Sequence, residues 1–196
     1  MTNENTISKK KVNVISLVMC ALFAALIAVG AFIQIPLPHL DYFTLQFLFV
    51  TLSGIILGPK LGAISVAVYV LLGLAGVPIF AAGGGIAYVL RPSFGYLAAF
   101  IAASAVTGLI CKMLKADKFW KYLLAALGGF VVTCAIGLVY EYFMATLYLG
   151  EETTLWLIFL DCFPIDMPGD LVLCAISAFI GKRTEEIRRR YIKVEY

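Results

Sequence analysis

The sequence predicts an all-α integral membrane protein of six transmembrane helices with both termini in the cytoplasm. Three observations predict it. The 196-residue chain is 62% hydrophobic and 14% charged, with mean hydropathy +0.98, whereas soluble domains are about 45–50% apolar and about 25% charged. A water-soluble fold of this size exposes too much surface to hide so many apolar side chains. The apolar residues also fall into runs that approach the roughly 20 residues a helix needs to cross about 30 Å of hydrocarbon. Finally, the cations gather in alternate connections, as the positive-inside rule requires of cytoplasmic segments.

The first span runs from Val14 to about Ile35 and is stopped by IPLP, Ile35 to Pro38. Lys9, Lys10 and Lys11 precede it, and the apolar run is too long for a cleaved signal core, so it reads as a retained span. The second span runs from about Leu40 to Leu57 and ends at Gly58-Pro59. The third is Leu61 to about Ala75, the fourth Ser93 to Cys111, and the fifth about Trp120 to Leu149. The sixth begins near Pro168-Gly169-Asp170 and continues to about Ile187. LWLIFLDCF, Leu155 to Phe163, is apolar but too short to span, and is expected as an outer-surface helix packed on the last span. The domain organisation is then a cytoplasmic tail (1–12), a membrane domain (13–187) and a basic cytoplasmic tail (188–196).

Charge tests the span count. Lys60, Lys112, Lys115, Lys118, Lys121, Lys182, Arg183, Arg188, Arg189, Arg190 and Lys193 fall with the N-terminal lysines on one side. Of the 15 Lys and Arg residues, Arg91 alone is left on the other, with His39, Asp41, Glu151, Glu152, Asp161, Asp166 and Asp170. A wrong count would scramble this segregation.

The outer side also holds the candidate chemistry. Arg91 follows three consecutive glycines, Gly83, Gly84 and Gly85, which permit close backbone approach. The glycines lack the GxxxxGK[ST] pattern of a phosphate loop. Asp170 lies in FPIDMPGDL at the start of the last span, deep enough for a carboxylate there to be a site candidate. Asp166 reads as a plain N-cap, and Glu141 as an interfacial acid. Gln46, in FTLQF, either bonds a neighbouring helix or reaches into a cavity. Aromatics surround these groups: Tyr42, Phe80, Tyr88, Tyr96, Trp156 and Phe163. The set suits an apolar pocket with a few convergent polar groups, for a small, mostly apolar molecule with donors and an anionic end.

Enzyme chemistry finds little support. There is no HExxH or GxSxG pattern, and a single histidine, His39, excludes a two-histidine metal site. The five cysteines, Cys20, Cys111, Cys134, Cys162 and Cys174, have no metal or redox spacing. No cofactor motif is present. The residues alone leave open a binding subunit for a vitamin-like molecule or an integral membrane enzyme using the outer acids. Ala21, Ala25 and Ala28 form a small-residue stripe with Ala24 beside it, which lets another helix approach, from this chain or a partner.

Several motifs in order resemble a known family. IPLP, TLQ, LSGIILGPKLGAISVAVYVLLGLAGVPIFA, then GGG with RPSFGYLAAF, and finally PGDL, resemble the biotin-specific S-components of energy-coupling-factor (ECF) transporters, the BioY family, over nearly the whole length. The resemblance implies a six-helix membrane subunit with an outward pocket for biotin. It also implies work with a transmembrane coupling subunit and two cytoplasmic ATPases, and no covalent catalysis. It implies Asp170 as acceptor for the ureido N–H groups and Arg91 as donor to the ureido oxygen or the valerate carboxylate. Gln46, in the matching TLQ, is expected to bind the ligand as a further source of directional bonds, and Tyr88, Tyr96, Phe80 and Gly84 are expected around it. Ala21 and Ala25 would face the coupling subunit, with membrane lipid around the rest. Two positions depart from the family pattern: Leu173 stands where a lysine is common, and Ser93-Phe94 replaces Thr-Gly.

Overall fold

A computed structural model describes residues 14–36, 42–150, 154–162 and 166–185. The elements in chain order are α1 (Val14–Phe32), β1 (Gln34–Pro36), β2 (Tyr42–Thr44), α2 (Gln46–Leu74), a 3-10 helix (Ile86–Leu90), α3 (Phe94–Met113), α4 (Phe119–Phe143) with a π-helical turn (Met144–Tyr148), α5 (Leu155–Cys162) and α6 (Asp166–Arg183). Among the described residues, four stretches are long and apolar enough to cross a membrane: Val14–Phe32, Gln46–Leu74, Phe94–Met113 and Phe119–Tyr148.

Helix α2 is not one rod. Gly58 leaves helical geometry at φ 79° and ψ 179°, next to Pro59. The residues on either side then meet. Gln46 Nε2 lies 2.6 Å from the Tyr69 hydroxyl, and a Cβ at Gly62 would stand 2.9 Å from the Ser53 carbonyl oxygen. In a continuous helix Gln46 and Tyr69 would be about 35 Å apart, at 1.5 Å per residue. The chain therefore reverses at Gly58, where glycine tolerates the positive φ and Pro59 opens the returning arm. The two antiparallel arms, 46–57 and 59–74, divide where the sequence places the boundary between the second and third spans.

Glycines bring the backbones together at the hairpin tip. A Cβ at Gly108 on α3 would stand 2.5 Å from Pro59 N, and one at Gly54 2.4 Å from the Ser104 carbonyl oxygen. The hydroxyls of Ser53 and Ser104 meet across this seam at 2.8 Å, as expected where small residues let apolar helices touch. The start of α1 joins the same end: Cys20 Sγ donates to the Leu61 carbonyl at 3.5 Å, and Ser65 Oγ donates to the Cys20 carbonyl at 2.7 Å. So does the end of α6, where Gly181 lies against Ile55 and Tyr122. Lys60, Lys112, Lys115, Lys118, Lys121, Lys182 and Arg183 thus share one end of the bundle. There Lys121 Nζ pairs with Asp117 at 2.7 Å, and its hydrogen bond holds that exposed carboxyl below the ordinary carboxylate range.

Two boundaries differ from the sequence expectation. Helix α1 stops at Phe32 rather than near Ile35, and α2 begins at Gln46 rather than near Leu40. Between them β1 and β2 pair antiparallel, Gln34 opposite Thr44 and Ile35 opposite Phe43. The cause is local: Pro36 drives Ile35 into extended geometry and cannot donate a helical hydrogen bond. Helix α5 packs against α4. Ile158 is its buried anchor, while Leu155, Trp156, Leu157 and Leu160 are exposed.

Candidate substrate-binding site

The end opposite the lysines is built by a relay of contacts that begins at the β-ribbon. Leu45 N donates to the Gly30 and Ile33 carbonyls, each at 3.2 Å, which fixes the entry to α2 against the end of α1. Gln46 follows at 2% exposure. Its carbonyl oxygen accepts from the Thr44 hydroxyl at 3.1 Å, and its Nε2 donates to the Tyr69 hydroxyl at 2.6 Å. The Tyr69 hydroxyl in turn donates to the Ile79 carbonyl at 3.1 Å. The amide that the sequence leaves between a helix contact and a cavity thus bonds within the protein at both ends.

Aromatic rings continue the relay. Phe80, buried at 1% exposure, packs edge-on against Tyr69 with centroids 5.5 Å apart and against Tyr88 at 4.7 Å. Arg91 closes the 3-10 helix and lays its guanidinium 5.3 Å from the centre of the Tyr88 ring. A cation over an aromatic face is attracted by the ring quadrupole, more strongly when desolvated. Arg91 is half-buried and Tyr88 buried.

The glycine run explains how the loop lies so close to the bundle. Phe80 N donates to the Gly83 carbonyl at 2.9 Å, and Gly83 N returns a bond to Phe80 at 3.2 Å. Gly85 N donates to the Gly73 carbonyl at 2.7 Å. Gly83 and Gly85 hold φ values of 112° and 103°, open to glycine and rarely to other residues. A Cβ at Gly84 would stand 2.3 Å from the Val77 carbonyl oxygen. The close approach that the sequence suggests for these glycines is made to the returning arm of α2.

Helices α3 and α4 brace the far side of the loop. The Tyr140 hydroxyl donates to the Val89 carbonyl, and the Tyr140 ring meets Phe94 at 5.9 Å. Tyr96 packs where a Cβ on Gly137 would intrude, and its hydroxyl donates to Glu141 at 2.8 Å. Glu141 is therefore an acceptor for Tyr96.

Asp170 arrives on the first turns of α6, half-buried. Its neighbour Gly169 presses on Phe43, whose ring a Cβ there would meet at 2.5 Å. Phe43 precedes Thr44, so Asp170 joins the same end of the bundle as Gln46. One turn on, Leu173 is 6% exposed and belongs to the apolar core. The structure thus gathers Asp170, Arg91, Gln46, Tyr88, Phe80 and Gly84 at one end, with Tyr96 behind them on α3. Ala21 and Ala25 are exposed on α1, while Ala24 is buried. Tyr42, Asp161 and Asp166 have no described side chain, and His39, Asp41, Glu151, Glu152 and Phe163 lie outside the described residues.

Sequence reasoning missed Tyr69, Tyr140 and Phe43. The available signal for Tyr69 was a phenol inside the apolar run AISVAVYVLL, since a buried tyrosine hydroxyl usually finds a partner. Nothing in the one-dimensional pattern points to Phe43.

A family model described as the BioY family matches residues 4–190. A protein of Lysinibacillus sphaericus named as a probable biotin transporter BioY is 39% identical over 180 residues, 92% of this chain and 91% of that one. The biotin transporter BioY of Thermotoga maritima is 43% identical over 62% of this chain and 70% of its own. The crystal structure of the S-component for biotin from an ECF-type ABC transporter superposes with TM-score 0.76 at 27% identity, over 95% of both chains. Such relatives are transporters rather than enzymes, and with the apolar helices described above they mark a multi-pass protein of the bacterial cell membrane. The chain belongs to the BioY family.

Proposed function

We propose that this chain is the substrate-binding membrane subunit, the S-component, of an ECF-type ABC transporter, and that its ligand is biotin. The observation that carries the reading is the polarity of the bundle. One end bears the lysines, and the other gathers a half-buried carboxylate, a guanidinium stacked on a tyrosine and a wall of buried aromatics. The lysine end is cytoplasmic, and the chain crosses the membrane six times, counting the two arms of α2 and α6 separately.

Asp170 accepts the ureido N–H groups of biotin, and Arg91 donates to the ureido oxygen or the valerate carboxylate. Tyr88, Phe80 and Tyr96 form the apolar surroundings of the ring system, with the Gly84 backbone close by and Gln46 holding the wall from behind. Hydrogen bonds to charged groups contribute about 1.5–3 kcal/mol each, so two or three, with apolar burial, suffice for tight capture. Ala21 and Ala25 on the open face of α1 meet a transmembrane coupling subunit, and two ATPases complete the transporter. Translocation is a reorientation of this subunit against the coupling subunit during ATP hydrolysis.

The test is radiolabelled biotin binding to the purified chain in detergent. Saturable binding of unaltered biotin, lost in Asp170→Asn and kept in Lys118→Gln, supports the reading. Binding of another small molecule but not biotin, or turnover of biotin, contradicts it.

A further inference from the structure

We infer that Tyr69 is a positioning residue that holds the arginine-bearing loop closed against the bundle; its ligand-side consequence rests on the functional reading above. Tyr69 is fully buried on the returning arm of α2, far in sequence from Arg91, yet every link between them is in place. Its hydroxyl takes a hydrogen bond from Gln46 and gives one to the Ile79 carbonyl, the residue before Phe80. Its ring meets the Phe80 edge at 5.5 Å, Phe80 meets Tyr88 at 4.7 Å, and the Arg91 guanidinium rests on Tyr88. The same hydroxyl is tied through Gln46 to Thr44, beside the Phe43 ring on which α6 enters at Gly169.

One phenol therefore anchors the start of the loop and links it to the segment that delivers Asp170. The loop has further ties. They include the paired bonds between Phe80 and Gly83, the Gly85 bond to Gly73, and the Tyr140 bond to Val89. Gly83 and Gly85 also make it costly to hold in one shape, because glycine loses the most conformational freedom on ordering. Removing the Ile79 anchor shifts the loop toward open conformations in which Arg91 is no longer presented, and a ligand held by Arg91 then leaves faster.

Tyr69→Phe keeps the ring and removes only the hydroxyl. Hydrogen exchange on the full chain in lipid nanodiscs reads the loop without any ligand. The expected result is about tenfold faster exchange at the Phe80 and Gly85 amides, with α3 amides between Ala99 and Gly108 unchanged. With biotin, the expected result is a dissociation rate about tenfold higher and an association rate within about twofold. Gln46→Met, which removes the other partner of the hydroxyl, is expected to loosen the same amides to a smaller degree. Unchanged loop exchange in Tyr69→Phe overturns the inference. Faster exchange spread evenly through α3 also overturns it, because the hydroxyl would then support general packing only. If the unaltered chain binds no biotin, the functional reading and the ligand half of this inference fall together, and loop exchange still decides the positioning role.

Discussion

Gly73→Ala is the sharpest probe of how the loop is seated. Gly73 lies on the returning arm of α2, and an added Cβ would stand 2.1, 2.2 and 2.7 Å from three atoms of the Phe80 ring. Ordinary contact begins near 3.4 Å, so the ring must retreat by about 1.3 Å. It has nowhere to go as a side chain, because Tyr69 and Tyr88 flank it at centroid distances of 5.5 and 4.7 Å. The backbone must lift instead, and with it the Gly85 bond to the Gly73 carbonyl. Overpacking of this kind costs about 1–3 kcal/mol. If that energy falls on the seated loop and biotin needs the loop seated, affinity drops by about 5- to 150-fold. The assay is a biotin titration of the purified variant, with thermal unfolding in the same detergent. Gly128→Ala is the control: its Cβ would clash only with the Ile110 methyl end at 2.3 Å, which a rotamer change relieves, at the α3–α4 interface away from the loop. Biotin affinity for Gly73→Ala within twofold of the unaltered chain, with loop amides still protected, refutes the reasoning.

Other expectations follow from the same geometry. Gly108→Ala places a Cβ 2.5 Å from Pro59 N, against backbone that cannot rotate away, and should lower stability by about 1–3 kcal/mol, measured by unfolding in detergent. Arg91→Gln should weaken biotin binding by about tenfold or more while leaving thermal stability nearly unchanged, since an ionic hydrogen bond contributes about 1.5–3 kcal/mol. Ala21→Trp, on the open face of α1, should abolish copurification with a coupling subunit and leave biotin binding by the isolated chain intact. Asp117 titrates below the ordinary carboxylate range because Lys121 donates to it. A depressed folded pKa contributes stability above the unfolded pKa that is lost as pH falls through the folded one. NMR titration should show the Asp117 midpoint rising in Lys121→Gln, with biotin affinity unchanged.

Much of the architecture was legible because bilayer physics writes it in one dimension. Apolar run length and lysine placement located the helices, and Gly58-Pro59 marked the reversal that turns one 29-residue helical stretch into a pair of arms. The β-ribbon was not legible: three-residue strands carry no periodicity, and only Pro36 hinted that α1 must stop. At the site, the charged candidates stood out because an ion near hydrocarbon is expensive. The role of Gln46 did not, since an amide reads the same whether it faces a ligand or, as here, Tyr69 and Thr44. Tyr69 and Tyr140 were hidden for a related reason. Their hydroxyls are satisfied by carbonyls distant in sequence, Ile79 and Val89, and only the fold brings those within reach. The Glu141 partner of the Tyr96 hydroxyl was hidden in the same way, 45 residues away in sequence.

The central claim is that the end of the bundle bearing Asp170 and Arg91 captures biotin. Equilibrium binding of radiolabelled biotin to the purified chain, without coupling subunit or ATPases, tests it most directly. The account predicts one saturable site per chain that disappears in Asp170→Asn. A chain that is folded and monodisperse yet takes up no biotin, or an Asp170→Asn variant that binds as tightly as the original, would contradict it.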